Sequence, residues 1–146
     1  MRVCLVSLLL LLCAGTIHLE ATQALADACA AQGQRAFVGK VNMDQYSPDG
    51  YCENTAASLA DTESFIHYCK TMPSAVAAAQ AGVPALVQPV ITPRFIPTCS
   101  PALLEGLGKL AKKHDVWVQS HASESSDQVD FITENRGFAS VMMAPG

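Results

Sequence analysis

Val116-Trp117-Val118-Gln119-Ser120-His121-Ala122-Ser123-Glu124 is the stretch whose reading decides the fold. Val116 and Val118 alternate with other residues up to Ser120, so the run favours a strand, and His121 falls where that strand stops. In a barrel of alternating strands and helices, polar residues just past the C-terminal end of a strand lie where the loops converge and chemistry is done. Glu124 follows three residues later, close enough to reach back over the same mouth. A neutral imidazole is a good zinc ligand, and a carboxylate that is not itself a ligand can carry protons to and from a metal-bound water. The pairing points to metal-assisted hydrolysis, although His-x-x-Glu by itself is a common sequence.

The segment before it supports a parallel α/β pattern. Ser100-Pro101 has the form of a helix start, with serine as N-cap and proline at the first helical position. Leu103, Leu104, Leu107, Leu110 and Ala111 make its apolar stripe, and Lys112 and Lys113 suit its C-terminal dipole. Before that, Leu86 to Thr92 reads as a strand in which Pro89 must sit where a ladder bond is missing, and it ends in Pro93-Arg94-Phe95. Ser74 to Pro84, rich in alanine, reads as a short helix or an inserted loop. Asn54 caps a helix running to about Lys70, with Leu59, Thr62, Ile66 and Cys69 at helical spacing and Pro73 as its stop. His67 on that helix is read as a surface or packing residue rather than a ligand. Arg35 to Val41 is a strand followed by a turn at Ser47 to Gly50. Thr22 to Gln32 is a helix with Leu25, Ala28 and Cys29 on one face and Gly33 as its cap. A last helix is expected near Ser126 to Glu134. Strand and helix alternate throughout, and polar residues recur at equivalent strand ends, Arg94 with Phe95 and His121 with Glu124.

Composition agrees with one domain. Half of the 146 residues are hydrophobic and 15% are charged, which excludes a disordered chain. A net charge of −4 with scattered lysines and arginines offers no basic stripe, so nucleic acid is not an expected partner. The six cysteines, Cys4, Cys13, Cys29, Cys52, Cys69 and Cys99, contain no Cys-x-x-Cys pair, against a structural zinc site. Several fall inside helix-like or strand-like segments, where free cysteine behaves as a small buried hydrophobe. A disulfide framework in a small secreted protein is the competing reading.

Residues 1–14 form a hydrophobic leader. Met1-Arg2, the leucine-rich run to Cys13 and the small residues after it have the form of a signal peptide, and the run is too short to span a bilayer as a helix. A barrel strand, or an artificial start in place of lost upstream sequence, are the other two readings. Residues 15–134 are the expected barrel portion and 135–146 a divergent tail.

Three motifs, Arg35 to Asp44 (Arg-Ala-Phe-Val-Gly-Lys-Val-Asn-Met-Asp), Ile91 to Ser100 (Ile-Thr-Pro-Arg-Phe-Ile-Pro-Thr-Cys-Ser) and Gln119 to Glu124 (Gln-Ser-His-Ala-Ser-Glu), resemble the guanine deaminases of the amidohydrolase superfamily. The resemblance runs from about Gly15 to Phe131, and Thr-Pro-Arg-Phe looks like the guanine-specific version of a strand end shared with related deaminases and chlorohydrolases. It implies an α/β fold, an incomplete (β/α)8 TIM-type barrel of about three to four βα units. The activity implied is zinc-dependent hydrolysis of guanine to xanthine and ammonia in purine catabolism, by a cytoplasmic homodimer with no membrane association. By the same resemblance His121 matches a zinc ligand and Glu124 the catalytic proton shuttle. Arg94 and Phe95 match residues that hold the base by planar hydrogen bonding and stacking, with His121 and Glu124 also bordering the substrate. The other family of zinc base deaminases uses Pro-Cys-x-x-Cys, which is absent here. The superfamily's His-x-His pair and its later histidine and aspartate are absent as well. The chain is therefore expected to be a truncated form, inactive alone, or else a non-catalytic fragment that pairs with a deaminase subunit.

Overall fold

The computed structural model describes residues 10–12 and 16–134. The remainder of the leader and the tail from residue 135, with their expected roles, lie outside the described residues, as do Cys4 and Cys13.

Alternation of strand and helix is what the chain builds. Leu10–Leu12 (β1) leads to Leu19–Ala31 (α1), then Ala36–Val38 (β2) and Val41–Asn42 (β3), then Thr55–Thr71 (α2) and Pro73–Gln80 (α3). Val87–Pro93 (β4), Pro101–His114 (α4), Trp117–Val118 (β5) and Ser126–Glu134 (α5) complete it. Every strand pairing is parallel. Ala36 stands beside Val87 and Val41 beside Thr92, so β2 and β3 hold one register against β4 and amount to a single strand broken in its ladder at Gly39 and Lys40. Counted that way, four strands lie side by side in chain order, each joined to the next by a helical crossover, the arrangement of a (β/α) barrel wall.

The break has a local cause. A Cβ on residue 39 would stand 2.2 Å from both Thr92 Oγ1 and Val90 O, so only glycine lets the two strands approach here. Lys40, next to it, is fully buried and ion-paired with Glu53. Its Nζ also donates to Val41 O at 3.1 Å. Burial pushes the Lys40 ammonium below the usual lysine range, and Glu53 pulls it back.

Two apolar clusters glue the helices to the sheet. Ala26 and Cys29 of α1 meet Ala36, Val38, Phe65, Cys69 and Val87, while Ile66, Ile91, Leu103, Leu104 and Leu107 join α2, β4 and α4. The caps are those expected: Asn54 Oδ1 accepts from the amides of Ala56 and Ala57, and Ser100 Oγ accepts from Leu103 N. Gly33 takes the left-handed conformation (φ 66°) after α1.

Three details differ from the sequence reading. The helix α1 starts at Leu19, and its buried face is Thr22, Ala26 and Cys29, leaving Ala28 exposed, because the turn closed by His18 O places Thr22 inward. The alanine-rich stretch is a helix from Pro73 to Gln80, with proline starting it rather than ending the chain's helical course. The last strand is only Trp117–Val118, since its outer edge has no pairing partner among the described residues. Pairing nevertheless continues past it, through Gln119 N to Ile91 O (2.9 Å) and His121 N to Arg94 O (3.0 Å). The four described cysteines are free thiols, and Cys29, Cys69 and Cys99 are buried, which counts against a disulfide framework. Burial pushes the thiols of Cys69 and Cys99 up to about 12 and about 11. Among the described residues no helix is long and apolar enough to cross a membrane.

Gly39→Ala is expected to cost about 1–3 kcal/mol in urea unfolding through overpacking against a backbone carbonyl. Gly108→Ala, at a helical position with nothing within 4 Å, is expected to stabilise the chain by about 0.5–1 kcal/mol. Glu53→Gln, which leaves the Lys40 ammonium buried without its counter-charge, is expected to cost about 3–5 kcal/mol in the same measurement.

Candidate active site

The polar ends of β4 and β5 are stitched together by main chain. Arg94 N donates to Asn42 O (3.1 Å), tying the tip of β4 to that of β3. In the other direction Arg94 O accepts from His121 N (3.0 Å), from His121 Nδ1 (3.0 Å) and from Ser120 Oγ (3.3 Å). A carbonyl oxygen only accepts, so Nδ1 carries the imidazole proton and the ring's lone pair sits on Nε2, the tautomer in which a histidine ligates metal through Nε2.

Arg94 itself is exposed and Phe95 half-buried. The guanidinium carbon lies 5.5 Å from the centre of the Phe95 ring, and Nη1 reaches Met43 Sδ at 3.8 Å. A planar donor fork and an aromatic face are thus presented side by side at one strand tip.

Glu124 is exposed and lies on the loop that leads to α5. Ser123 turns that loop through a left-handed conformation (φ 53°). The loop is held by a residue that the sequence reading passed over, Gln128. Its buried side chain accepts from Glu124 N (2.6 Å) through Oε1 and donates to His121 O (3.4 Å) through Nε2. One amide side chain on α5 therefore fixes the spacing of His121 and Glu124. The only sequence signal was a glutamine in the first turn of an amphipathic helix, and its partners lie in the preceding loop.

Behind the strand tips stands a polar network that also went unread. Asp44 accepts from Ser100 N and Ser100 Oγ (both 2.6 Å) and from Thr55 Oγ1 (2.7 Å), joining the N-termini of α2 and α4, where the helix dipoles favour a negative charge. Asn42 Nδ2 donates to Ser58 Oγ (2.9 Å) and Thr62 Oγ1 (2.7 Å).

The structure thus brings Arg94, Phe95 and His121 to neighbouring strand tips and ties Glu124 to His121 through Gln128. It does not assemble a metal centre there. Among the described residues, no group of three His, Cys, Asp or Glu ligand atoms includes His121 or Glu124. A catalytic zinc takes three protein ligands, so these residues alone do not fit the ion. A cavity of about 310 Å³ opens elsewhere, between Cys69, Ala79, Val87 and Trp117, at the N-terminal ends of β4 and β5.

Residues 13–138 match the amidohydrolase family, and the chain belongs to it. Within that family the chain is similar to the guanine deaminase of Dictyostelium discoideum, 42% identical over 117 residues that make up 80% of this chain and 24% of that protein. The crystal structure of guanine deaminase from C. acetobutylicum with bound guanine in the active site superposes with a TM-score of 0.74 at 38% identity, covering 88% of this chain and 27% of that one. An adenosine deaminase from Xanthomonas campestris with bound zinc shares the fold, with a TM-score of 0.64 at 20% identity over 83% of this chain and 25% of the other. The chain spans about a quarter of the length of the relatives it matches.

Gln128→Ala is expected to release the His121 to Glu124 loop. Amide exchange at Glu124 should quicken by about tenfold, the equivalent of one lost hydrogen bond, with the exchange of α4 unchanged.

Proposed function

We propose that this chain is part of a guanine deaminase, which converts guanine and water to xanthine and ammonia. The observation that carries the reading is the Arg94 carbonyl shared with His121, which ties the strand tip bearing the guanidinium and phenyl ring to the tip bearing the imidazole. The similarity to guanine deaminases, one of them with bound guanine, supports the same substrate.

In this reading Arg94 donates to acceptors on the purine edge, and Phe95 gives its plane a stacking surface. Glu124, on a loop clamped by Gln128, takes a proton from the attacking water and hands it to a purine ring nitrogen; the water's second proton passes to the exocyclic amine, which leaves as ammonia as the C–N bond breaks and the new carbonyl forms. His121 is oriented by its Nδ1 contact to Arg94 O. Zinc is proposed for the whole enzyme, with His121 as one of its ligands. Homodimerisation, a cytoplasmic location and the absence of a membrane partner are proposed on the family resemblance, and the absence of a nucleic-acid partner on the net charge of −4 without a basic stripe.

Xanthine formation from guanine by the full-length enzyme tests the assignment. Glu124→Gln is expected to lower kcat by about 10²–10⁴-fold while zinc content stays unchanged. Arg94→Ala is expected to raise KM for guanine by about tenfold or more through loss of charge-assisted hydrogen bonds. Normal turnover by the Glu124 variant would remove the proton-transfer role, and no xanthine from the full-length parent would remove the substrate.

A further inference from the structure

Glu63 and His67 stand one turn apart on α2, and His114 is the last residue of α4. One carboxylate oxygen and one nitrogen from each ring all lie within 4.8 Å of one another. Glu63 Oε1 is 2.7 Å from His114 Nε2, and the two imidazoles meet edge-on with centroids 5.1 Å apart at 88°. The same oxygen also accepts from Lys113 Nζ at 2.7 Å. His114 is largely buried, Glu63 is half-buried and His67 is exposed, which gives the cluster a fixed floor and an open side toward solvent.

We propose that Glu63, His67 and His114 form a binding site for a divalent transition metal that staples α2 to α4. Two imidazole nitrogens and one carboxylate oxygen suit zinc, cobalt or nickel better than calcium or magnesium, which take oxygen ligands. Tetrahedral ligands around zinc stand about 3.4 Å apart, so the Glu63–His114 pair, 2.7 Å apart, opens slightly while the exposed His67 side chain rotates in to close the cluster. The metal takes the position between His114 Nε2 and Glu63, the imidazole proton moving to Nδ1. Lys113, whose side chain is 64% exposed, gives up its contact to solvent. His114 precedes β5 whereas His121 follows it, so this site lies at the opposite end of the sheet from the deaminase residues and does not depend on that reading.

Zinc titration of the chelator-stripped chain, by calorimetry and by thermal unfolding, tests the site. About one equivalent is expected to bind and to raise the thermal midpoint. His67→Ala and His114→Ala should each weaken binding by about tenfold or more, while Cys52→Ser, at an exposed thiol away from the cluster, binds as the parent does. His67 is exposed, so its variant reports ligation even where His114→Ala disturbs folding, and an unchanged circular dichroism spectrum checks it. No binding at millimolar zinc, parent-like affinity in His67→Ala, or loss of binding in Cys52→Ser would each overturn the proposal.

Discussion

A lysine ammonium sealed inside the molecule is the constraint around which this structure is arranged. Lys40 sits where the first long strand breaks, fully buried, and a charge there is tolerated only because Glu53 meets it. Glu53 also accepts from Met43 N (3.1 Å) and Ser58 Oγ (3.0 Å), so the same carboxylate fixes the chain after β3 and the first turn of α2. Asn42 extends the network into α2 through Ser58 and Thr62, and its Oδ1 is buried without a hydrogen-bond partner among the described residues. An orphaned buried acceptor of this kind costs about 1–3 kcal/mol. The network lies at the C-terminal side of the strands, where stability is given up to hold polar groups in place.

The rim residues inherit that rigidity through main chain. Asn42 O receives Arg94 N and also the Cys99 thiol at 3.2 Å, and Asp44 binds the cap of α4 directly behind Arg94 and Phe95. Strand tip, the short 3-10 turn Ile96–Thr98 and helix start therefore move as one body. The exposed side chains stand on a base that is itself almost wholly buried.

What could be read from the sequence was whatever depends on neighbours along the chain. Caps at Asn54 and Ser100, the glycine stop at Gly33 and the stripe of α4 are local, and the structure has them. The parallel alternation followed from those elements. What could not be read depends on residues far apart. Gly39 looked like any strand residue because the atoms that forbid a side chain there belong to Val90 and Thr92. Gln128 was passed over because its partners are fixed only once the loop after His121 folds back. The edge-on contact of His67 with His114 was out of reach for the same reason, the two rings lying 47 positions apart. The candidate site was legible as residue types at strand ends, and its geometry was not.

One carbonyl oxygen just past the end of β4 receives three donors from the neighbouring strand end, two of them from a single histidine. The arginine that owns that oxygen is the one proposed to hold the base. Under that proposal, grip on the base and aim of the imidazole are not separate dials. A displacement of the arginine's backbone would swing the imidazole with it, so tuning the proposed site toward a differently shaped base would require either a change confined to side chains or a simultaneous repair of the histidine's orientation.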